Sequence, residues 1–231
     1  MSVHGGPKVS GITNPSGSGR LVFSVDFANR RSYPGSGTSC FNMINRSVGT
    51  LTNGPTYSGS RGGFLSFTTD DFISFNDDTT LDGQNISVGV WARTNATTQN
   101  GFFFEKGTVN TQYSLFQGGA NFIWRQYYTN ISAINDLTAP AASYVDTNDW
   151  FHLVGTFTSG TRRLYVNGKL IASDTQTGTL GTNSGGIRIG SYNTAGYYYN
   201  GDIGVVRVWT YALSEIDVRQ NFNALRGRYR V

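Results

Sequence analysis

Apolar and polar positions alternate along much of the chain. In NISVGVWART, Ile86, Val88, Val90 and Ala92 alternate with Ser87, Gly89, Trp91 and Arg93, the period of a strand with one dry face. In DWFHLVGTFTSGTRRLYVNGKLIAS, from Asp149, the residues Phe151, Leu153, Gly155 and Phe157 fall on one face and His152, Val154, Thr156 and Thr158 on the other. Leu164 and Val166 resume the alternation after a turn at Ser159 and Gly160. Asn167 and Gly168 predict a type I′ hairpin, whose two central residues both need positive φ. Runs of the same kind recur as LVFSVDF, GGFLSFT, DFISFN, GFFFEKG, QYSLFQG, NFIWRQYY and GDIGVVRVWTYA, each bounded by Gly, Asn, Asp or Thr. Short strands at such spacing predict an all-β sandwich.

The two ends break the alternation. Residues 1–20 are rich in Gly, Ser and Pro and read as an extended arm. After the last strand, Ser214 with Asp217 three positions on predicts a capped helix, with Val218, Phe222 and Leu225 sharing a face and Gly227 ending it. The expected organisation is an arm over 1–20, one domain over 21–225 and a basic tail over 226–231, with no repeat of fixed period.

Composition adds limits. The 231 residues include 30 Gly, and 14% are aromatic and 14% charged, which describes a turn-rich β protein. The net charge of +4 comes mostly from arginine, fifteen against three lysines. These arginines are scattered except near the end, so no nucleic-acid stripe is expected. Cys40 is the one cysteine, so no intrachain disulfide can form and no Cys cluster offers to hold metal. The first residues lack a secretion signal, and no apolar run approaches the roughly 20 residues that span a bilayer. The expectation is a soluble protein without a membrane partner. Asn45, Asn85, Asn95 and Asn130 each open an N-x-S/T triplet, read as chance in a Ser/Thr-rich chain.

WFHLVGTFTSGTRRLYVNGKLIAS, followed by GGIRIGSYN and YNGDIGVVRVWTYALSEIDVRQNFNAL, resembles the concanavalin A-like lectin/glucanase superfamily, in its laminin G-like branch. That resemblance, over roughly 21–225, implies a jelly roll: two antiparallel sheets packed face to face, with one short C-terminal helix. The ends, LVFSVDFANRRSYPGSGT with GTLTNGPTY and ALSEIDVRQNFNALRGRYRV, are similar to free-standing laminin G-like proteins of tailed bacteriophages. This likeness implies a virion component: a capsid decoration or cement protein, or else part of a tail or fibre.

Catalysis has little to stand on. Glucanases of this superfamily carry carboxylates in an E-x-D-x-x-E arrangement on one strand, because retaining hydrolysis needs two carboxyls roughly 5 to 5.5 Å apart. Only Glu105 and Glu215 are glutamates here, and neither has a carboxylate at that spacing. Asp70-Asp71 and Asp77-Asp78 read as loop polarity. His152 reads as a packed histidine, and His4 lies in the arm. Similar domains hold calcium at the sandwich rim, commonly with Asp-Glu where this chain has Gly204-Val205. Asp26 and Asp202 remain as candidates but read as strand-end residues satisfying backbone donors. No enzyme activity, metal or cofactor is expected.

What remains is recognition. Trp124, Tyr127 and Tyr128, with Tyr192, Tyr197, Tyr198 and Tyr199 in the loop YNTAGYYYN, are candidate contact residues for protein or glycan. Protein contact is the expectation and a carbohydrate-binding adhesin for host surface glycans the alternative. Arg226, Arg228 and Arg230 form a candidate attachment tail, mobile until it meets an acidic neighbour. The expected partners are other virion proteins, the major capsid protein or tail proteins, in a homo-oligomer or high-copy assembly, and the expected location is the virion.

Overall fold

The computed structural model describes residues 20–108, 112–129, 132–142, 144–145, 149–193 and 196–231. The expected arm therefore lies outside the described residues save for Arg20, as do His4 and Asn130.

The strands form two antiparallel sheets of eight. The back sheet runs β14 (Lys169–Asp174), β13 (Thr161–Val166), β12 (Phe151–Thr158), β7 (Ile86–Thr94), β16 (Gly201–Trp209), β5 (Phe64–Phe67) and β4 (Thr56–Ser58), with β1 (Leu21–Asp26) also on β16. The front sheet runs β11 (Ala133–Pro140), β10 (Asn121–Tyr128), β9 (Tyr113–Gly119), β8 (Gln99–Lys106), β15 (Ile187–Ile189), β6 (Phe72–Phe75), β3 (Val48–Thr52) and β2 (Ser39–Phe41). One edge of β16 serves β5 and β1 in succession: residues 201–203 pair with β5 and residues 205–209 with β1. The register breaks at Gly204, whose carbonyl accepts from the Phe27 N–H at 3.1 Å.

The layers meet through aromatic side chains. Phe23 stands edge-on to Phe75 at 5.0 Å between centroids, and Phe103 to Phe151 at 5.8 Å. Trp124, fully buried on the front sheet, donates its indole N–H to the Thr156 carbonyl of the back sheet at 3.1 Å. It fits because Gly155 faces it: a Cβ there would lie 2.5 Å from the indole. The predicted hairpin forms with φ of 51° at Asn167 and 79° at Gly168, and the Asn167 side chain accepts from the His152 N–H at 2.8 Å.

The one α-helix among the described residues, α1 (Glu215–Tyr229), starts as the sequence predicts, with a complete capping box between Ser214 and Asp217. It does not stop at Gly227. It continues to Tyr229 and ends on Arg230 in the left-handed region, φ 60°. Packing explains the extra turn: the Tyr229 ring lies 4.5 Å from both Trp91 and Trp150, and the Arg228 guanidinium binds Asp26 at 2.9 Å. The boundary at 225 and the mobile tail over 226–231 are thereby corrected. Arg226 and Arg230 are exposed, but Arg228 is a structural residue of the domain.

The helix also changes the reading of β7. Its alternation suggests one dry face, yet Ser87, Gly89 and Trp91 are buried as fully as Val88 and Val90. Phe222 and Tyr229 cover Trp91, while Val218 packs with Val154 and Trp209.

Candidate functional site

Since α1 lies over the outer face of the back sheet, the outer face of the front sheet is where the fold leaves strand surface for a ligand. Antiparallel pairing sets one polar row across all eight of its strands: Asp136, Arg125, Ser114, Glu105, Arg188, Ser74, Thr50 and Ser39 are successive register partners. Side chains at paired positions share a face. Arg125 makes a two-pronged contact with Asp136, Nε to Oδ1 and Nη2 to Oδ2, each 2.7 Å. These hydrogen bonds to the carboxylate hold its pKa above the ordinary arginine value against the opposing effect of burial. Arg188 lies over the Phe72 ring at 4.0 Å, and burial lowers its pKa.

An aromatic cluster flanks this row. Phe102 and Phe116 are register partners whose rings stack at 4.3 Å, almost parallel, and the Arg125 guanidinium covers Phe116 at 4.8 Å. Tyr192 and Tyr197, from the segment between β15 and β16, pack on Phe102 at 5.0 and 6.3 Å and meet each other edge to face. That segment doubles back as a flap: Ser191 bridges Tyr198, and the Tyr192 N–H donates to the Tyr197 carbonyl at 3.2 Å. Gly101 admits the flap, because a Cβ there would lie 2.8 Å from Tyr199 Cα and 3.1 Å from the Tyr198 carbonyl. Phe102 and Phe116 form the buried base, while Tyr197, 47% exposed, stands highest.

The candidate contact residues divide. Tyr192, Tyr197 and Tyr198 come together on the flap, and Tyr127 lies half-buried on the same sheet face, in register with Ile134. Trp124, Tyr128 and Tyr199 are corrected: all three are fully buried in the core. β10 alternates strictly, so Trp124 and Tyr128 share the inward phase with Phe122, and the Tyr199 ring packs on Phe103 at 4.8 Å. Phe102, Phe116, Arg125 and Asp136 were not among the candidates. Phe102 sits in a run of three phenylalanines whose phase is broken by a bulge between 102 and 104. The Arg125–Asp136 pair depends on a strand, β11, that its Asn, Asp and Pro disguise.

Among the described residues this face does not assemble the carboxylate pair of a glycosidase. Glu105 and Asp136 are three strand spacings apart, about 14 Å, beyond the roughly 5 to 9.5 Å such chemistry needs. Glu215 begins α1 on the other sheet. His152 is buried against Trp91 and Phe222, and desolvation, then the Arg207 charge, lowers its pKa to about 3. It is therefore a neutral packed ring at neutral pH. Among the described residues no three His, Cys, Asp or Glu side chains gather as metal ligands. Asp26 and Asp202 bind arginines instead: Arg228 and, at 2.7 Å, Arg93.

Residues 67–219 match the family model of the concanavalin A-like lectin/glucanases superfamily of laminin G type. With more than half the chain matched, the protein belongs to that superfamily. No curated protein matches it. Among solved structures it is similar to the binding domain of botulinum neurotoxin serotype D, with a TM-score of 0.68, 16% identity, and 88% of this chain and 51% of that one covered. The binding domain of Paraclostridial Mosquitocidal Protein 1 gives 0.67 and 17%, covering 88% and 52%. The chain thus spans about half the length of these toxin domains. Domain 4 of AbnA, a GH43 extracellular arabinanase from Geobacillus stearothermophilus, in complex with arabinotriose, gives 0.69 and 18%, covering 87% of this chain and 97% of that one. At such identities the likeness is one of fold.

Proposed function

We propose that this domain is a non-enzymatic binding module that recognises carbohydrate on the outer face of its front sheet. The observation that carries the reading is the aromatic cluster of Phe102, Phe116, Tyr192 and Tyr197, set beside the Arg125–Asp136 fork on the sheet face that α1 leaves open. A sugar ring offers an apolar face that stacks on aromatics and hydroxyls that bond to a paired guanidinium and carboxylate. The arabinotriose held by a domain of the same fold supports this choice of ligand class. A glycan array with the isolated domain tests it. Reproducible binding that is lost on Tyr197→Ala and Arg125→Ala, with melting unchanged for Tyr197→Ala, is expected. Binding that survives both substitutions moves the site elsewhere, and silence across the array counts against a glycan ligand.

A second reading concerns the setting. The two end motifs that resemble tailed-phage proteins are joined in space through Asp26 and Arg228, which supports their being parts of one folded unit. On this reading the domain is a virion component, a capsid decoration protein or a tail or fibre part present in many copies, and the flap contacts a neighbouring protein or a host glycan. Mass spectrometry of purified particles decides it: the chain must be present, at a copy number that separates capsid from tail.

A further inference from the structure

Lys106 closes β8 with its side chain fully buried, 0% exposed. Its ammonium meets four oxygens from two separate segments, the connection from β6 to β7 and the connection from β14 to β15. Asp77 Oδ1 lies at 2.7 Å, the Gly185 carbonyl at 2.9 Å and the Asn183 carbonyl at 3.2 Å. Asp82 Oδ1 lies at 3.4 Å and makes no hydrogen bond among the described residues. An ammonium has three N–H donors and no acceptor, and the three nearer oxygens use all three donors. All four oxygens are acceptors, two of them carboxylate, so the nest favours a positive charge. It is built from backbone that could not be there otherwise: a Cβ on Gly185 would lie 2.2 Å from the Gly107 carbonyl carbon, and one on Gly186 the same distance from the Phe75 carbonyl oxygen.

We propose that this nest is a cation receptor for a hard, oxygen-seeking divalent ion, which the chain fills with its own Lys106 ammonium, and that cutting the side chain back turns it into a calcium site. Two carboxylates and two carbonyls, completed by water, are the ligand types calcium takes, at six to eight oxygens. The ammonium supplies one positive charge where calcium supplies two, and the two aspartates can balance either. The consequence reaches the flap, because Gly107, next to Lys106, accepts from the Asn193 side-chain amide at 2.6 Å. The cation thus pins the loop before β15 and the base of the segment that carries Tyr192, with no need for metal.

The test uses the full chain as wild type, Lys106→Ala and Lys106→Met, melted in chelator and in millimolar calcium, with calorimetric titration of calcium. Lys106→Ala should melt well below wild type in chelator, regain at least half of that loss in calcium, and bind one ion. Wild type should neither bind nor shift, and Lys106→Met, which fills the nest with an apolar chain, should be destabilised without responding. If Lys106→Ala does not fold in chelator, refolding from urea reads the same property: recovery only with calcium supports the receptor, and recovery in neither condition refutes it. A folded Lys106→Ala that ignores calcium also overturns the proposal, as does an equal calcium response in wild type or Lys106→Met. None of these readouts involves glycan, so the proposal stands or falls apart from the binding-module reading.

Discussion

Arg228, in the last turn of α1, holds both carboxylate oxygens of Asp26, at 2.9 and 3.1 Å, across 202 positions of sequence. Its other nitrogens donate to the carbonyls of Arg61 at 2.9 Å and Gly63 at 3.1 Å. One side chain thereby ties the helix to the end of β1 and to the turn before β5. Removing one partner of an ion pair that is nearly enclosed strands the other. Arg228→Ala should therefore cost about 2 kcal/mol, less than a fully buried pair because both groups keep some solvent. Urea unfolding checks it. Deleting residues 226–231 should lower the melting temperature at least as much, since it also takes Tyr229 off Trp91.

His152 gives the fold a defined response to acid. Its pKa lies near 3 in the folded protein, against 6.5 ordinarily, because burial and the neighbouring Arg207 disfavour the charged ring. Between these values the unfolded chain binds a proton that the native state does not, so stability rises with pH in that window. The contribution is complete above pH 6.5 and is lost progressively below it. From pH 6.5 to 5 the unfolding free energy of wild type should fall with a slope approaching 1.36 kcal/mol per pH unit. In His152→Phe, which keeps a ring against Trp91 and Phe222, that slope should flatten.

Trp124 and Tyr197 separate framework from surface. Trp124→Ala opens a large cavity between the sheets and should cost about 3–5 kcal/mol. Tyr197→Ala removes a ring from the crest of the flap and should change stability by no more than about 0.5 kcal/mol. Calorimetric melting of the two variants, followed by the glycan array, should give one unstable protein and one stable protein that no longer binds.

Gly101 tests the seat of the flap. A methyl group there must push on the Tyr199 backbone, 2.8 Å away, an overpacking expected to cost about 1–3 kcal/mol. The displaced flap carries Tyr192 and Tyr197 off Phe102, so Gly101→Ala should weaken ligand binding several-fold at a temperature where the protein is still folded.

Cys40 is fully buried, and desolvation pushes its thiol up to about 12. As the thiolate is the reactive form, alkylating reagents at neutral pH should leave the native protein unmodified and label it rapidly once urea is added.

How far these features can be read without coordinates differs from one to the next. The strands β7, β12 and β10 follow from period two alone, and Asn167-Gly168 forms the turn its dipeptide demands, because in each case the determining interaction is local. The same period separates Tyr127 from Tyr128, which as neighbours on a strand cannot both face a ligand; grouping the rings by type hides this. Phase is harder. Ile123 and Trp124 are both large and apolar, and only the notch at Gly155 shows which of them points inward. β11 escapes because its sequence AINDLTAP has little strand character and is held by pairing with β10, including Arg125 to Asp136. The end of α1 escapes for a similar reason: nothing in RGRYRV points to Asp26 or Trp91, which lie far away along the chain.

The indole of Trp124 resting on the bare backbone of Gly155 fixes the distance between the two sheets at that point. No room is left there for a guest, in contrast to closed barrels that enclose their ligands. The domain is a solid tablet, and whatever it recognises must be inscribed on the outside, where flaps and loop rings can be rewritten without altering its thickness.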